Sequence, residues 1–93
     1  MSVTTVTSSI QYYYNLSVNA GALITGVTSG GPADKAGLRA GDVITKIGNE
    51  NISTTGDLIS AIGSHKIGDQ IDIVYYRGSV QKVATATLEE SPS

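Results

Sequence analysis

The chain has 93 residues, a formal net charge of −2, one histidine and no cysteine. That length holds one small domain, which buries about 60–65% of the surface its unfolded chain exposes. Without cysteine there is neither a disulfide nor a thiolate metal site, and His65 alone cannot make a zinc centre. The six Lys and Arg are scattered singly, so the basic face that nucleic acid requires is missing. No apolar run approaches the ~18 residues of a membrane span, and no signal-peptide pattern stands before the first strand. A lack of cysteine fits cytoplasm and envelope equally.

Ser2 to Thr7 alternates β-branched residues and reads as a strand, with Val3 and Thr5 on one face and Thr4 and Val6 on the other. Ser8 or Ser9 can cap a short helix that carries Ile10, Tyr13 and Tyr14 at helical spacing. Asn15 ends it, since asparagine tolerates the left-handed conformation. The three consecutive tyrosines suggest an aromatic platform, but helical spacing already accounts for two of them, and a helix face with exposed rings is the simpler reading. Leu16 and Val18 lead into a second strand, Ala22 to Val27.

Gly30 to Ile44, GGPADKAGLRAGDVI, is the most punctuated stretch of the chain. Pro32 suits the first position of a helix, where its missing N–H is no loss. Ala33-Asp34-Lys35-Ala36 gives barely one turn before Gly37, which supplies a positive φ with Leu38 folded back over the end. Gly41-Asp42 turns the chain into a buried strand, Val43 to Ile47. Gly48-Asn49 is a hairpin signal before Glu50-Asn51-Ile52. Thr54 or Thr55 then caps the one substantial helix, Gly56 to about Ser64, with Asp57 in its positive first turn. Leu58, Ala61 and Ile62 mark one face of that helix, and Thr55, Ile59 and Ile62 mark a second edge. Leu58 and Ala61 are expected in the core and Ile59 open to solvent, because one stripe suffices to pack a helix on a sheet. Gly68-Asp69 turns the chain into a strand from Gln70 to Tyr76. Arg77-Gly78-Ser79 makes a hairpin, and Val80 to Leu88 returns with Ala84, Ala86 and Leu88 on one face. Glu89 to Ser93 reads as a polar, frayed end, and His65 falls in a loop with no function indicated.

The run Gly30, Pro32, Ala33, Ala36, Gly37, Leu38, Gly41, Asp42 and Ile44 resembles the G-x-P-A-x-x-A-G-L-x-x-G-D-x-I signature of PDZ domains. It is most similar to the bacterial ones attached to serine proteases of the HtrA/Deg type. The segment Tyr14 to Ile24 also resembles the connection between the first two strands of those domains. The resemblance implies an α+β fold: a small, partly open antiparallel β-barrel or sandwich capped by two helices. It is circularly permuted relative to animal PDZ domains, with Gln81 to Leu88 in the place that opens the chain there. On this reading residues 1–90 form a single PDZ domain and 91–93 a polar tail.

The resemblance also implies a mechanism. PDZ domains take up an extended peptide as an added strand, so that main-chain hydrogen bonds give affinity and side-chain pockets give specificity. The peptide-binding residues would be Met1, Val3, Thr4 and Thr5 on the strand edge and Thr55, Ile59 and Ile62 on the helix. Val3, Ile59 and Ile62 would line the pocket for the ligand's terminal side chain. Thr55 would face the third-from-last ligand position, where threonine in place of the family's frequent histidine points to an apolar ligand tail. A Y-L-G-[VI]-like loop precedes the first strand in the family and receives the terminal carboxylate. Aligning the strand puts Met1 at the last position of that loop, which implies a fragment cut there, with an initiator methionine added and an incomplete cradle.

No catalytic constellation is visible. A serine-protease triad needs a histidine base, for which His65 is the sole candidate, and no serine sits in a nucleophile-elbow context. The chain is therefore expected not to be an enzyme by itself and to need no cofactor or metal. The implied parent is an HtrA/Deg-type serine endopeptidase of the cell envelope, whose PDZ domain captures exposed C-termini of misfolded proteins and biases the protease domain. The alternatives are the PDZ domain of an intramembrane metalloprotease or of a C-terminal processing protease, or a protomer-contact domain that binds no peptide.

Overall fold

The computed structural model describes residues 2–88; Met1 and residues 89–93, on which the readings of a polar tail fall, lie outside the described residues. Six strands and three helices follow one another as β1 (Ser2–Thr5), α1 (Ser8–Tyr14), β2 (Ala22–Gly26), α2 (Pro32–Lys35), β3 (Val43–Ile47), β4 (Glu50–Asn51), α3 (Thr55–Gly63), β5 (Gln70–Arg77) and β6 (Val80–Thr87). The strands form one antiparallel sheet in the order β1-β2-β3-β5-β6, with β4 paired to β3. The sheet does not close, so β1 and β6 are its edges.

Both faces of the sheet's centre are covered, which explains why Ala22, Leu23 and Ile24 are all buried in succession. Ala22, Ile24 and Ile44 belong to the main core, joined by Leu38 and by Leu58 and Ala61 from α3. Leu23 and Val43 point the other way and meet Val6, under a lid of Ile10, Leu16 and Val18. The alternation expected in the first strand holds: Val3 packs on the main core, and Val6 lies in the second cluster.

The helix ends show why these short segments are helical. α1 starts one residue earlier than the serines suggested: Thr7 is extended, and its hydroxyl accepts the N–H of Ile10 at 3.2 Å. Asn15 closes the helix at φ 54°, as expected, with the Leu16 N–H reaching back to Gln11 C=O at 2.9 Å. Only Ile10 of this helix packs inward, while Tyr12, Tyr13 and Tyr14 are 90%, 80% and 48% exposed. Seven residues are too few to bury a three-residue stripe, and Tyr13 and Tyr14 pack edge-on against each other instead, 5.0 Å between ring centres.

α2 is closed by a Schellman motif. Gly37, at φ 90°, donates to Asp34 C=O and Leu38 donates to Ala33 C=O, both at 3.0 Å, and the Leu38 side chain is buried behind them. α3 begins in a reciprocal capping box. Of the two candidate threonines it is Thr54 whose hydroxyl accepts the Asp57 N–H at 3.1 Å, while the Asp57 carboxylate accepts the Thr54 N–H at 3.3 Å.

Candidate functional site

β1 has a strand neighbour on one side only, and the hydrogen-bond pattern shows which of its main-chain groups are left over. Ile24 in β2 uses its N–H and C=O on the far side, bonding Asp42 C=O and Gly41 N–H at 2.8 Å each. Its β1 partner, Val3, is therefore at a non-hydrogen-bonded position of the β1–β2 ladder, and its own N–H and C=O point out toward the free edge. The same parity holds further along. Val6 N–H bonds Gly21 C=O at 2.9 Å, so residues 4 and 6 face β2 while residues 3 and 5 face outward. An extended segment laid against this edge would find the donor and acceptor of Val3 waiting for it.

α3 stands beside that edge as a second wall. Its core face is set by Leu58 and Ala61, 2% and 0% exposed, which anchor the helix on the sheet. Rotating one residue from Leu58 brings Ile59 outward, where it is 69% exposed, with Ile62 half-buried one turn later against the main core. The helix was expected to carry more apolar width than its packing needs, and Ile59 is that surplus. Val3, Thr5, Thr55, Ile59 and Ile62 are all uncharged, and the Asp57 carboxylate of α3 is spent on the N–H groups of Ser53 and Thr54.

At one end the walls touch. The Thr5 hydroxyl accepts the N–H of Thr55 at 3.0 Å and donates to the Thr55 hydroxyl at 3.2 Å, across 50 residues of sequence. Thr55 is the first residue of α3, so Thr5 satisfies one of the helix's orphan N–H groups from another element. β1 and the start of α3 are thus held together at Thr5–Thr55.

Of the candidate binding residues, the structure joins Thr5 and Thr55 directly, packs Val3 and Ile62 against the main core, and leaves Ile59 exposed on α3. Thr4 sits opposite Leu23, on the face of the second cluster and away from α3. It would flank side chains of an added strand that point away from the helix. Met1 lies outside the described residues. The direct bond between Thr5 and Thr55 had no signal in the sequence, since both are common residues far apart in the chain. His65 is engaged in ending α3: its Nδ1 donates to Ala61 C=O at 2.8 Å, which places the ring proton there because a carbonyl only accepts. It helps to hold the end of α3.

A family model for the PDZ domain matches residues 2–88, and this chain belongs to that family. The relatives it matches are HtrA/Deg-type serine proteases. Over 77 residues, 83% of this chain, it is 40% identical to the serine protease Do-like HtrA of Lactococcus lactis subsp. lactis (strain IL1403). Over 80 residues, 86% of this chain, it is 31% identical to a probable periplasmic serine endoprotease, DegP-like, of Marinomonas sp. (strain MWYL1). The chain spans only 19% and 17% of the lengths of these two, and it corresponds to their PDZ portion, not to a protease domain. Among solved structures, the HtrA-type protease AlgW with a decapeptide superposes with a TM-score of 0.89 at 28% identity, covering 98% of this chain and 28% of that one. The HtrA3 PDZ domain bound to a phage-derived ligand (FGRWV) has a TM-score of 0.82 at 18% identity, covering 94% of this chain and 79% of that one, and shares the fold.

Proposed function

We propose that this chain binds exposed C-termini or extended apolar segments by adding them as a strand to the β1 edge. It would serve as the substrate-recruiting, regulatory domain of an HtrA/Deg-type serine endopeptidase. The observation that carries this reading is the free edge of β1 beside α3: the N–H and C=O of Val3 point outward, and α3, bonded to β1 through Thr5 and Thr55, carries the exposed Ile59. An edge strand supplies generic main-chain affinity, and the apolar wall selects side chains at alternate ligand positions. Val3, Ile59 and Ile62 receive the terminal side chain, and Thr55 faces a residue further upstream. The peptides in the AlgW and HtrA3 structures support the reading by analogy.

The parent's activity, its misfolded-protein substrates and its place in the cell envelope belong to the same proposal, supported by the names of the relatives. No helix among the described residues is long and apolar enough to cross a membrane. The test is an NMR titration with peptides ending in Val or Leu. Micromolar affinity, on the order of 8 kcal/mol, is expected, with the largest amide shifts at Val3 and along Ile59–Ile62. Shifts confined to β6 or α1, or no binding across a broad set of apolar C-termini, would favour a protomer-contact role instead.

A further inference from the structure

We propose that β6 pairs with β6 of a second copy of this chain, joining two sheets edge to edge about a two-fold axis at Val83. β6 is the edge opposite β1, so the pairing does not depend on the groove reading above. Which of its main-chain groups are free follows from β5. The Asp72 C=O accepts the Gly48 N–H at 2.8 Å, and the Val74 C=O accepts the Thr45 hydroxyl at 3.4 Å, both on the β3 side. Their β6 partners, Thr85 and Val83, are therefore at non-hydrogen-bonded positions of the β5–β6 ladder and turn their own N–H and C=O to the free edge. Leu88 bonds the other way, donating to Asp69 C=O at 2.9 Å. Gln81, Val83, Thr85 and Thr87 thus face outward, with no main-chain partner among the described residues.

Natural edge strands are guarded against such pairing by short length, proline, bulges or charge. β6 has eight residues in unbroken register with β5, no proline, and Lys82 as its one charged residue. β1, by contrast, has four residues and a register shift between Ser2 and Val3. Ala84 and Ala86 of β6 enter the main core, while Val83 stands on the opposite face, 63% exposed and paired with Val74. An antiparallel copy centred on Lys82 would set two ammonium groups directly opposite each other, about 4.5 Å apart at Cα. Centred on Ala84 it would reach Thr87, where Pro32, Lys35 and Ala36 of α2 and its cap lie alongside. Centred on Val83 it pairs Gln81 with Thr85 of the second copy, covers the exposed valine with its twin, and sets Lys82 opposite an alanine. The edge is self-complementary in that register, which is why a second copy is the occupant, and a two-fold contact closes instead of growing a fibre. So short a contact falls below the ~1,200 Å² of stable interfaces, giving a Kd on the order of 1 mM. It gains strength where copies are already held close together.

The experiment uses single cysteines in a chain that has none. In the pairing, Val83 lies about 5.5 Å from its twin at Cα, within disulfide reach, whereas Gln81 lies about 15 Å from its own. Under mild oxidation at about 1 mM protein, Val83→Cys should cross-link about tenfold faster than Gln81→Cys, an equally exposed class of site. Val83→Pro keeps the β5–β6 ladder, which does not use this N–H, and removes a central bond of the pairing. Val83→Lys instead places like charges at the axis. From about 50 μM to about 2 mM, amide shifts of the native chain should move with concentration at Gln81, Val83 and Thr85, and those of the proline and lysine variants should not. A native chain that sediments as a monomer at about 2 mM would overturn the pairing. Equal cross-linking at the two cysteine positions would overturn it as well. A dimer whose shifts fall on β1 or α1 would do the same, in favour of another contact.

Discussion

Arg77 grips the carboxylate of Asp42 with both prongs of its guanidinium, Nε donating to Oδ1 at 3.0 Å and Nη2 to Oδ2 at 2.9 Å. Asp42 is the acid of the Gly-Asp turn that opens β3, and it is 1% exposed. Its Oδ2 also accepts the Arg39 N–H at 2.9 Å, while Arg77 Nη2 also donates to Gly37 C=O at 2.9 Å. One ion pair therefore ties the end of β5 to both the exit of α2 and the entry of β3. The guanidinium also lies 5.5 Å from the centre of the Tyr75 ring, within cation–π range.

Asp42→Asn should destabilise the domain by about 1.5–3 kcal/mol, the worth of hydrogen bonds to a charged group in a buried setting. In a domain of this size that lowers Tm by on the order of 10 °C, read by thermal denaturation. Arg77→Lys keeps the charge but loses the planar fork, so it should also destabilise.

The pH dependence of this pair has a definite sign. The hydrogen bond that Arg77 donates to Asp42 raises the Arg77 pKa above its ordinary value; burial opposes the rise, and the negative charge of Asp42 adds to it. A raised basic group contributes stability that is fully present below its unfolded pKa and is lost only as pH climbs through the folded one. For Arg77 that loss falls in strong alkali. The coupling between Asp42 and Arg77 in a double-mutant cycle should thus be the same at about pH 6 and about pH 10. A coupling that faded between the two would mean that another group controls the pair.

Gly37 and Gly21 should respond differently to alanine. Both have positive φ, 90° and 131°, so each carries a conformational penalty of about 1 kcal/mol for any side chain. At Gly37 a Cβ would meet nothing within 4 Å, and Gly37→Asn should recover part of the loss. At Gly21 it would lie 2.6 Å from the Ile44 carbonyl oxygen and 2.8 Å from Val43 Cγ1, which adds about 1–3 kcal/mol of overpacking. Urea denaturation of the two variants should rank Gly21→Ala well below Gly37→Ala. Equal losses would show that the sheet yields at Gly21.

These sites also show what could be read before the structure. Gly37 and Asn15 were legible because a left-handed helix end admits few residue types, and both stand next to an apolar residue that folds back. Ile59 was legible because α3 has one apolar residue more than its core face uses. Thr7 was not separable from Ser8 and Ser9, since three adjacent hydroxyls can each cap a helix. The exposure of Tyr13 and Tyr14 depended on how little of α1 the second cluster accepts. Arg77 with Asp42, and Thr5 with Thr55, join positions 35 and 50 residues apart, and local patterning carries no information at that range.

The last prediction separates the groove wall from the core on one helix. Leu58 and Ile59 are adjacent, similar in volume, and opposite in setting: 2% exposed in the main core against 69% exposed on the surface of α3. Leu58→Ala should cost about 2–5 kcal/mol of stability, since it leaves a cavity that the surrounding core side chains only partly fill. Ile59→Ala removes surface that already faces water, so its effect on stability should stay within about 0.5 kcal/mol. Its effect on binding should be the reverse. In the peptide complex Ile59 would be covered by the ligand's terminal side chain, and losing it should weaken binding by about 1–3 kcal/mol, roughly five- to a hundred-fold. Urea denaturation and peptide titration of Ile59→Ala, measured together, decide the matter: unchanged stability with unchanged affinity would mean that the exposed isoleucine is not where the ligand sits.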